Sequence, residues 1–262
     1  MKTKEKFRKL LIKLLTMTEK EVVSRIELTA NENGYQIIKY PKFIIVRPID
    51  TIGYAPLICA HYDTVVGGIP SIVTKNDTIS ANGTPVGGDD RCGVAIALSL
   101  IQDKAVATFA FFDEEERGAG GSKSFLLSES WIAKASSCYI GLDRRGDSDA
   151  AVYSYESESL LNIVGKYGYK KALGSMTDVS VIESQLPKAT VNLSVGFYKE
   201  HTPMETIVIR DTYATYINML SIIEDIGERL FVDIEEVNTW RNTFYDEDYN
   251  FDKYMPKEKS IS

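Results

Sequence analysis

Histidine is scarce in this sequence, and long apolar runs are missing from it. Among 262 residues there are two histidines, His61 and His201. No apolar run approaches the about 20 residues that cross a bilayer, so no membrane-spanning segment is expected. The lysine-rich N-terminus has apolar residues at helical spacing, interrupted by charges. We therefore expect an amphipathic helix packed on the body, rather than a signal peptide or a membrane-surface helix.

Cysteine and positive charge are also in short supply. The three cysteines, Cys59, Cys92 and Cys138, are far apart and form no CxxC pair. Neither a disulfide framework nor a thiolate zinc site is expected, and a reducing cytoplasm is the simplest setting. The formal net charge is −7. Because phosphate binding needs a basic face, nucleic acid is not expected as a partner.

The predicted elements indicate an α/β fold. Apolar runs typical of strands alternate with segments typical of helices, which predicts a mixed, mostly parallel central sheet with helices on both faces. We predict strands at 35–40, 43–47, 57–61, 106–112, 138–142 and 189–194, a hairpin at 71–80, and helices at 18–29, 94–101, 156–166, 178–184 and 210–229.

Side chains that could bind metal follow several of these strands. His61 ends one strand, residues 113–116 (DEEE) and Asp143 directly follow two others, and His201 lies a few residues beyond a fourth. Residues 89–90 (DD) lie in a glycine-rich turn before a helix. In open α/β sheets, ligands gather at the carboxyl ends of the strands.

Imidazoles and carboxylates at one sheet edge form a mixed donor set that suits zinc, cobalt or manganese. Crowded carboxylates repel one another unless cations neutralise them. A single acid in such a position more often caps a helix and faces water. All of these positions together indicate a site.

Five motifs resemble those of a known group of enzymes. The sequence resembles the di-metal exopeptidases of metallopeptidase clan MH, which include the single-domain zinc aminopeptidases, peptidase T and glutamate carboxypeptidase. The motifs are HYDTV at 61–65 for HxDTV, GDDRCG at 88–93 for GxDDKxG or DDRxG, FFDEEERGAGGS at 111–122 for FFDxEExGxxGS, LD at 142–143 with Gly146 for LDxxG, and HTPME at 201–205 for HSPxE.

The resemblance implies a role for each motif residue. Asp63 would orient a ligating imidazole, and Glu115 would be the general base. Asp89 would bridge the metals, because the group's bridging aspartate stands two residues before the basic residue, here Arg91. Two divalent ions, zinc with cobalt or manganese as alternatives, would be bound by His61, Asp89, Glu116, Asp143 and His201.

The acidic run and the motif spacing leave two points to decide. Residues 113–116 could be aligned with the motif in other registers. The register with Glu115 as the general base and Glu116 as a ligand is the one that also places Gly118, Gly121 and Ser122 on the motif. The stretches 64–88 and 144–200 are too short for an inserted lid domain of on the order of 100 residues, although the first is long for the single-domain branch. We predict one metallopeptidase catalytic domain over 1–231, without a lid, and an acidic, aromatic tail over 232–262, packed in its first half.

The predicted function is a two-metal hydrolase that cleaves a peptide or amide bond near the end of a small peptide, as an aminopeptidase. The alternatives are a deacylase or carboxypeptidase acting on N-acyl amino acids, and a binding protein without metal. Asp178 would receive a substrate α-amine or cap a helix, and both remain open. Cys92 would pack in the core rather than ligate. Four arginines beside the motifs would bind a substrate carboxylate or, as we favour, neighbouring acids: Arg91, Arg117, Arg144 and Arg145.

Overall fold

A computed structural model describes residues 3–49 and 54–237 of the chain. The described residues form seven helices and fourteen strands. The helices are α1 (Lys4–Leu15), α2 (Glu19–Asn33), α3 (Gly88–Gln102), α4 (Gly120–Ala135), α5 (Glu158–Gly165), α6 (Asp178–Gln185) and α7 (Ile209–Ile226). The strands are β1 (Tyr35–Tyr40), β2 (Phe43–Pro48), β3 (Leu57–His61), β4 (Ile72–Lys75), β5 (Thr78–Ala81), β6 (Thr108–Phe112), β7 (Tyr139–Arg144), β8 (Asp149–Val152), β9 (Tyr155–Ser157), β10 (Lys170–Leu173), β11 (Thr190–Ser194), β12 (Phe197–Tyr198), β13 (Thr206–Val208) and β14 (Ile234–Glu236).

An eight-stranded sheet in the order β1-β2-β6-β3-β7-β11-β8-β10 forms the centre of the molecule. Its four middle strands, β6, β3, β7 and β11, run parallel to one another. The pairs β1–β2, β2–β6 and β8–β11 are antiparallel. One apolar cluster packs α1, α2, α3 and α7 on one face, and a second packs α4 and α6 on the other. The predicted mixed, mostly parallel sheet with helices on both faces is confirmed.

A second sheet of four short strands lies beside the first, in the order β12-β13-β5-β4. Its β4–β5 hairpin turns at residues 76–77 and confirms the predicted hairpin. Strand β13 pairs with β5, which brings the chain just after His201 close to the chain just before Asp89. The stretch 144–200 is taken up by β8 to β12 and by α5 and α6, so it holds no lid domain.

The N-terminal helix α1 packs on the body as predicted. Phe7, Leu11 and Leu14 are fully buried, and the ring of Phe7 stacks on that of Tyr216 at a centroid distance of 5.5 Å. None of the helices in the described part of the chain combines the length and apolar character that crossing a bilayer requires.

Several element boundaries differ from the predictions. Helix α3 begins at Gly88 rather than at residue 94, although the backbone of Asp89 and Asp90 is not helical and forms a turn at its start. Strand β6 begins at Thr108, leaving Val106 exposed. Helix α4 and the strands β8, β9, β10, β12, β13 and β14 were not predicted. Gly120 and Gly121 open α4, and consecutive glycines are more typical of loops. Most residues of β10 are exposed, so they give no apolar pattern.

The first residues of the predicted tail form a strand. β14 pairs antiparallel with β9, and the Asp233 carboxylate accepts hydrogen bonds from the Ser157 hydroxyl at 2.9 Å and the Ser159 N–H at 2.7 Å. The rest of the tail, 238–262, lies outside the described residues. The domain boundary at residue 231 stays a prediction.

Candidate metal centre

The predicted metal-binding side chains meet at one edge of the central sheet. His61 is the last residue of β3, Asp143 lies near the end of β7, and Glu116 follows β6. Because these three strands run parallel, their carboxyl ends share an edge. Asp89 joins them from the start of α3, and His201 from the turn between β12 and β13.

Asp89 lies between the two imidazole rings. The Nε2 atom of His61 is 3.0 Å from Oδ1 of Asp89, and the Nε2 atom of His201 is 3.1 Å from Oδ2. The same nitrogen of His61 is 3.5 Å from Oδ1 of Asp143, and that of His201 is 3.1 Å from Oε1 of Glu116. The donors therefore divide into two groups that share one carboxylate.

Asp90 is also close to the site, and its carboxylate is occupied by backbone groups. Among the described residues, donor atoms within 4.8 Å of one another come from His61 with Asp89 and Glu116, and from His61 with Asp90 and Asp143. Asp90 is fully buried and accepts hydrogen bonds from the N–H groups of Gly93 at 2.9 Å and His61 at 3.3 Å. This geometry favours Asp89 as the shared ligand.

Asp63 contacts both an imidazole and the acidic run. Its Oδ1 atom is 3.2 Å from Nδ1 of His61, the ring nitrogen that faces away from Asp89. Its two oxygens also accept the N–H groups of Glu115 and Glu116, each at 3.2 Å. One buried carboxylate thus orients the ring and fixes the backbone of the two glutamates.

Asp143 is held by two residues that the sequence analysis missed. The hydroxyl of Thr177 donates to Oδ2 of Asp143 at 2.8 Å. The side chain of Asn192, on the neighbouring strand β11, accepts the N–H of Asp143 at 2.9 Å and donates to its carbonyl at 3.2 Å. Neither residue belongs to a motif, so no local pattern identified them.

The electrostatics of the site fit a bound cation. Burial, together with neighbouring carboxylates, raises the pKa of Glu115 to about 9 and that of Glu116 to about 7. Burial and the charge of Asp89 raise the pKa of Asp143 to about 6. Carboxylates crowded in this way are stabilised as anions by a divalent ion, and two imidazole nitrogens with carboxylate oxygens suit zinc.

A pocket of about 190 Å³ opens beside these donors. It is lined by Asp89, Glu115, Asp143 and His201, and by Arg144, Arg145, Tyr153, Ser175, Met176, Thr177, Asn192, Phe197 and Glu200. Arg144 pairs with Asp149 at 3.1 Å, and Arg145 pairs with Glu200 at 2.8 Å. The expected pairing of these two arginines with neighbouring acids is confirmed.

The remaining residues singled out in the sequence take internal positions. Arg91 is buried and donates to the carbonyl of Tyr62 at 2.5 Å. Cys92 is fully buried in the main apolar cluster, as expected for packing. Asp178 is buried in the first turn of α6, whose N-cap is Thr177, so the capping alternative for Asp178 is wrong. Burial raises the pKa of Asp178 to about 7.

The fold and the site define a metallo-exopeptidase of clan MH, as the motifs indicated. The profile of peptidase family M28 matches residues 53–191, which is more than half of the chain. The chain belongs to peptidase family M28. A comparison with curated protein sequences gives no match.

Solved structures show the same fold at low sequence identity. Aminopeptidase PepT from Bacillus cereus ATCC 10987 has a TM-score of 0.72 and 14% identity, over 86% of this chain and 99% of that chain. A tripeptidase from Staphylococcus aureus subsp. aureus Mu50 has a TM-score of 0.71 and 14% identity, over 87% and 99%. The glutaminyl cyclase of Porphyromonas gingivalis has a TM-score of 0.61 and 14% identity, over 86% and 99%.

Proposed function

We propose that this chain is a two-metal aminopeptidase that removes residues from the N-terminus of small peptides. Membership of peptidase family M28 makes it a peptidase. The observation that carries the two-metal assignment is the position of Asp89, with one oxygen 3.0 Å from the His61 ring and the other 3.1 Å from the His201 ring. A carboxylate so placed can bridge two ions.

In this proposal, two zinc ions would be held by separate pairs of residues. His61 and Asp143 would hold one ion, His201 and Glu116 would hold the other, and Asp89 would contribute to both. When bound, such ions polarise a substrate carbonyl and lower the pKa of water. Asp63 keeps the His61 ring in the orientation that points its Nε2 atom toward the other metal-binding side chains.

Glu115 acts as the general base. It lines the pocket together with Asp89, Asp143 and His201, and its backbone is anchored through its N–H to Asp63. From this position Glu115 takes a proton from the attacking water and passes it to the leaving amine. The pocket of about 190 Å³ has room for the end of a peptide chain.

Charge in the pocket supports cleavage at the amino end of the substrate. A carboxypeptidase needs a cation that is free to bind the substrate's terminal carboxylate. Arg144 and Arg145 line the pocket, and both already pair with acids, Asp149 and Glu200. The structural relatives include proteins named as an aminopeptidase and a tripeptidase, which supports the same polarity.

The test is a substrate panel on zinc-loaded enzyme, with Glu115→Gln and Glu114→Gln as a matched pair. We expect hydrolysis of dipeptides and amino-acid p-nitroanilides with a free amine. Glu115→Gln should lose roughly 100-fold or more in kcat while keeping its metal, as general-base loss does. Glu114→Gln should keep its activity, because Glu114 pairs with Lys42 at 2.6 Å, away from the pocket.

Each alternative predicts a different pattern in this panel. Turnover of N-acyl amino acids with no turnover of free-amine peptides would establish the deacylase or carboxypeptidase. Absence of both metal and turnover would establish the binding protein. Loss of metal from Glu115→Gln would show that the roles within the acidic run are shifted by one residue.

A further inference from the structure

Glu205 is a buried carboxylate whose hydrogen bonds all run to one stretch of backbone. Glu205 is only 1% exposed to solvent. Its Oε2 atom accepts the N–H groups of Val86 at 2.8 Å and Gly87 at 2.9 Å, and its Oε1 atom accepts the N–H of Asp89 at 3.1 Å. Both oxygens are thus used to hold the turn that leads into α3.

The turn around Gly88 approaches Glu205 too closely for a side chain. A Cβ atom at Gly88 would lie 2.7 Å from Ile207, 2.9 Å from Phe197 and 3.1 Å from Oε1 of Glu205. The missing side chain lets the backbone come within hydrogen-bond distance of the carboxylate. The Asp89 turn is therefore seated directly against β12 and β13.

Glu205 also belongs to the turn that carries His201. Its own N–H donates to the carbonyl of Thr202 at 3.0 Å, so the glutamate and the histidine share one short loop. His201 itself is half exposed, with 48% of its side chain accessible. The three hydrogen bonds of Glu205 thus join the loop that carries His201 to the turn that carries Asp89.

We propose that Glu205 is a positioning residue that fixes the distance between Asp89 and His201 and thereby sets the affinity of the ion they share. This inference rests on the two-metal assignment above. His61 and Asp143 lie at the ends of β3 and β7 and are held by the sheet itself. The pair Asp89 and His201 comes from two turns, and Glu205 connects them. Loss of Glu205 should therefore weaken the ion between Asp89 and His201 most, and weaken the ion at His61 and Asp143 less, because Asp89 contributes to that ion as well.

The test is a competition titration of the full-length protein with zinc and a chromophoric chelator, which resolves the two equivalents. In Glu205→Gln one acceptor oxygen becomes an NH₂ group, which cannot accept a backbone N–H. We expect one zinc equivalent to bind about 10–100-fold more weakly, as for other residues that orient ligands, and the other to be weakened less, because His61 and Asp143 stay in place. With cobalt in place of zinc, the absorption bands of the weaker equivalent should shift.

Two further variants separate positioning from folding. Glu205→Asp keeps the charge, and its shorter side chain reaches fewer of the N–H groups, so an intermediate weakening is expected. Glu183→Gln is the matched control, because Glu183 is fully buried and accepts the N–H of Ser154 at 2.9 Å. It should leave both zinc affinities unchanged.

The outcomes are distinct. Unchanged affinities in Glu205→Gln, or equal weakening of both equivalents with a lowered melting temperature, would overturn the positioning role. If the wild-type protein binds fewer than two zinc ions, the two-metal assignment itself fails, and this is seen before any variant is compared. Stronger weakening of one equivalent than of the other in Glu205→Gln and in Glu205→Asp, with no weakening in Glu183→Gln, supports the proposal.

Discussion

At the residue scale, the side chain of Asp63 joins two parts of the candidate site. It contacts the His61 ring at 3.2 Å and accepts the N–H groups of Glu115 and Glu116. Asparagine has the same shape as aspartate, but an NH₂ group replaces one of the two carboxylate oxygens. This NH₂ group is a donor and would face a backbone N–H group. A single substitution at this position should therefore disturb both a ligand and the general base.

We predict that Asp63→Asn binds zinc about 10-fold or more weakly at the His61 equivalent and has a lower kcat. Metal competition and steady-state kinetics on the same preparation measure both effects. Asp113→Asn serves as a control from the same acidic run, since the Asp113 carboxylate accepts the N–H of Glu114 instead. Unchanged zinc binding in Asp63→Asn would mean that the ring is oriented by the backbone alone.

Replacement of His201 tests whether the metal-binding side chains form two separate groups. His201→Ala should lower the metal content from about two equivalents to about one, because His61 and Asp143 still offer a separate group of donors. Elemental analysis after re-supply of zinc gives the number directly. His61→Ala should also lose at least one equivalent. If His201→Ala keeps two, His201 is not a ligand.

Local motifs identified most of the candidate residues, and long-range contacts identified the rest. HYDTV and the acidic run lie within a few residues of strand ends, and their resemblance to the clan MH motifs implied the roles of His61, Asp63, Glu115 and Glu116. Thr177, Asn192 and the role of Glu205 could not be read in this way. Their partners lie far away in the sequence, and hydrogen bonds between distant segments leave no periodic pattern.

At the element scale, the N-terminal helix contributes to the main core. Phe7 is fully buried between the rings of Tyr213 and Tyr216. We predict that Phe7→Ala lowers the free energy of unfolding by about 3–5 kcal/mol, the usual cost of removing a buried phenyl ring. Urea denaturation measures this. Leu28→Ala, at a position 45% exposed on α2, is the control and should change the stability little.

The strand β14 tests where the catalytic domain ends. We propose that the domain extends beyond residue 231, because β14 pairs with β9 and Asp233 binds Ser157 and Ser159. A chain truncated after residue 231 should melt at a lower temperature than one truncated after residue 237, which keeps all of these contacts. Equal melting temperatures of the two truncated chains would support the predicted domain boundary at residue 231.

Element prediction succeeded where burial gave a pattern and failed where it did not. β3 and β6 are apolar runs and were predicted, and the helix predicted at 18–29 corresponds to α2, where Thr18 and Glu21 form a capping box. The start of α4 was hidden by Gly121, which is required there because a Cβ atom would lie 2.6 Å from the carbonyl oxygens of Asp113 and Lys42. Glycine selected by such a close approach cannot be distinguished locally from glycine in a loop.

At the scale of the whole molecule, the candidate metal centre joins segments from β3 to the turn before β13. Without cations, crowded carboxylates and burial raise the pKa values of Glu115, Glu116 and Asp143. A metal ion that binds only the folded state therefore stabilises the fold by mass action.

We predict that chelation lowers the melting temperature by about 10 °C for each ion removed and that added zinc restores it, given about 4 kcal/mol per site at 1,000-fold saturation and about 2–4 °C per kcal/mol. Differential scanning calorimetry of chelated and reloaded protein measures the shift. The double variant His61→Ala with His201→Ala should show no response to chelator. A chelator effect that persists in it would place the stabilising ion elsewhere.

The order of the donors along the chain has a consequence for synthesis. On the proposed assignment, His61 leaves the ribosome early, whereas His201 and Glu205 emerge only after both halves of the central sheet have been translated. A nascent chain therefore cannot capture the ion between Asp89 and His201 until translation has passed that point. On this assignment, the ion between Asp89 and His201 can bind only after residue 201 has been translated, whereas the ligands of the other ion are all made earlier.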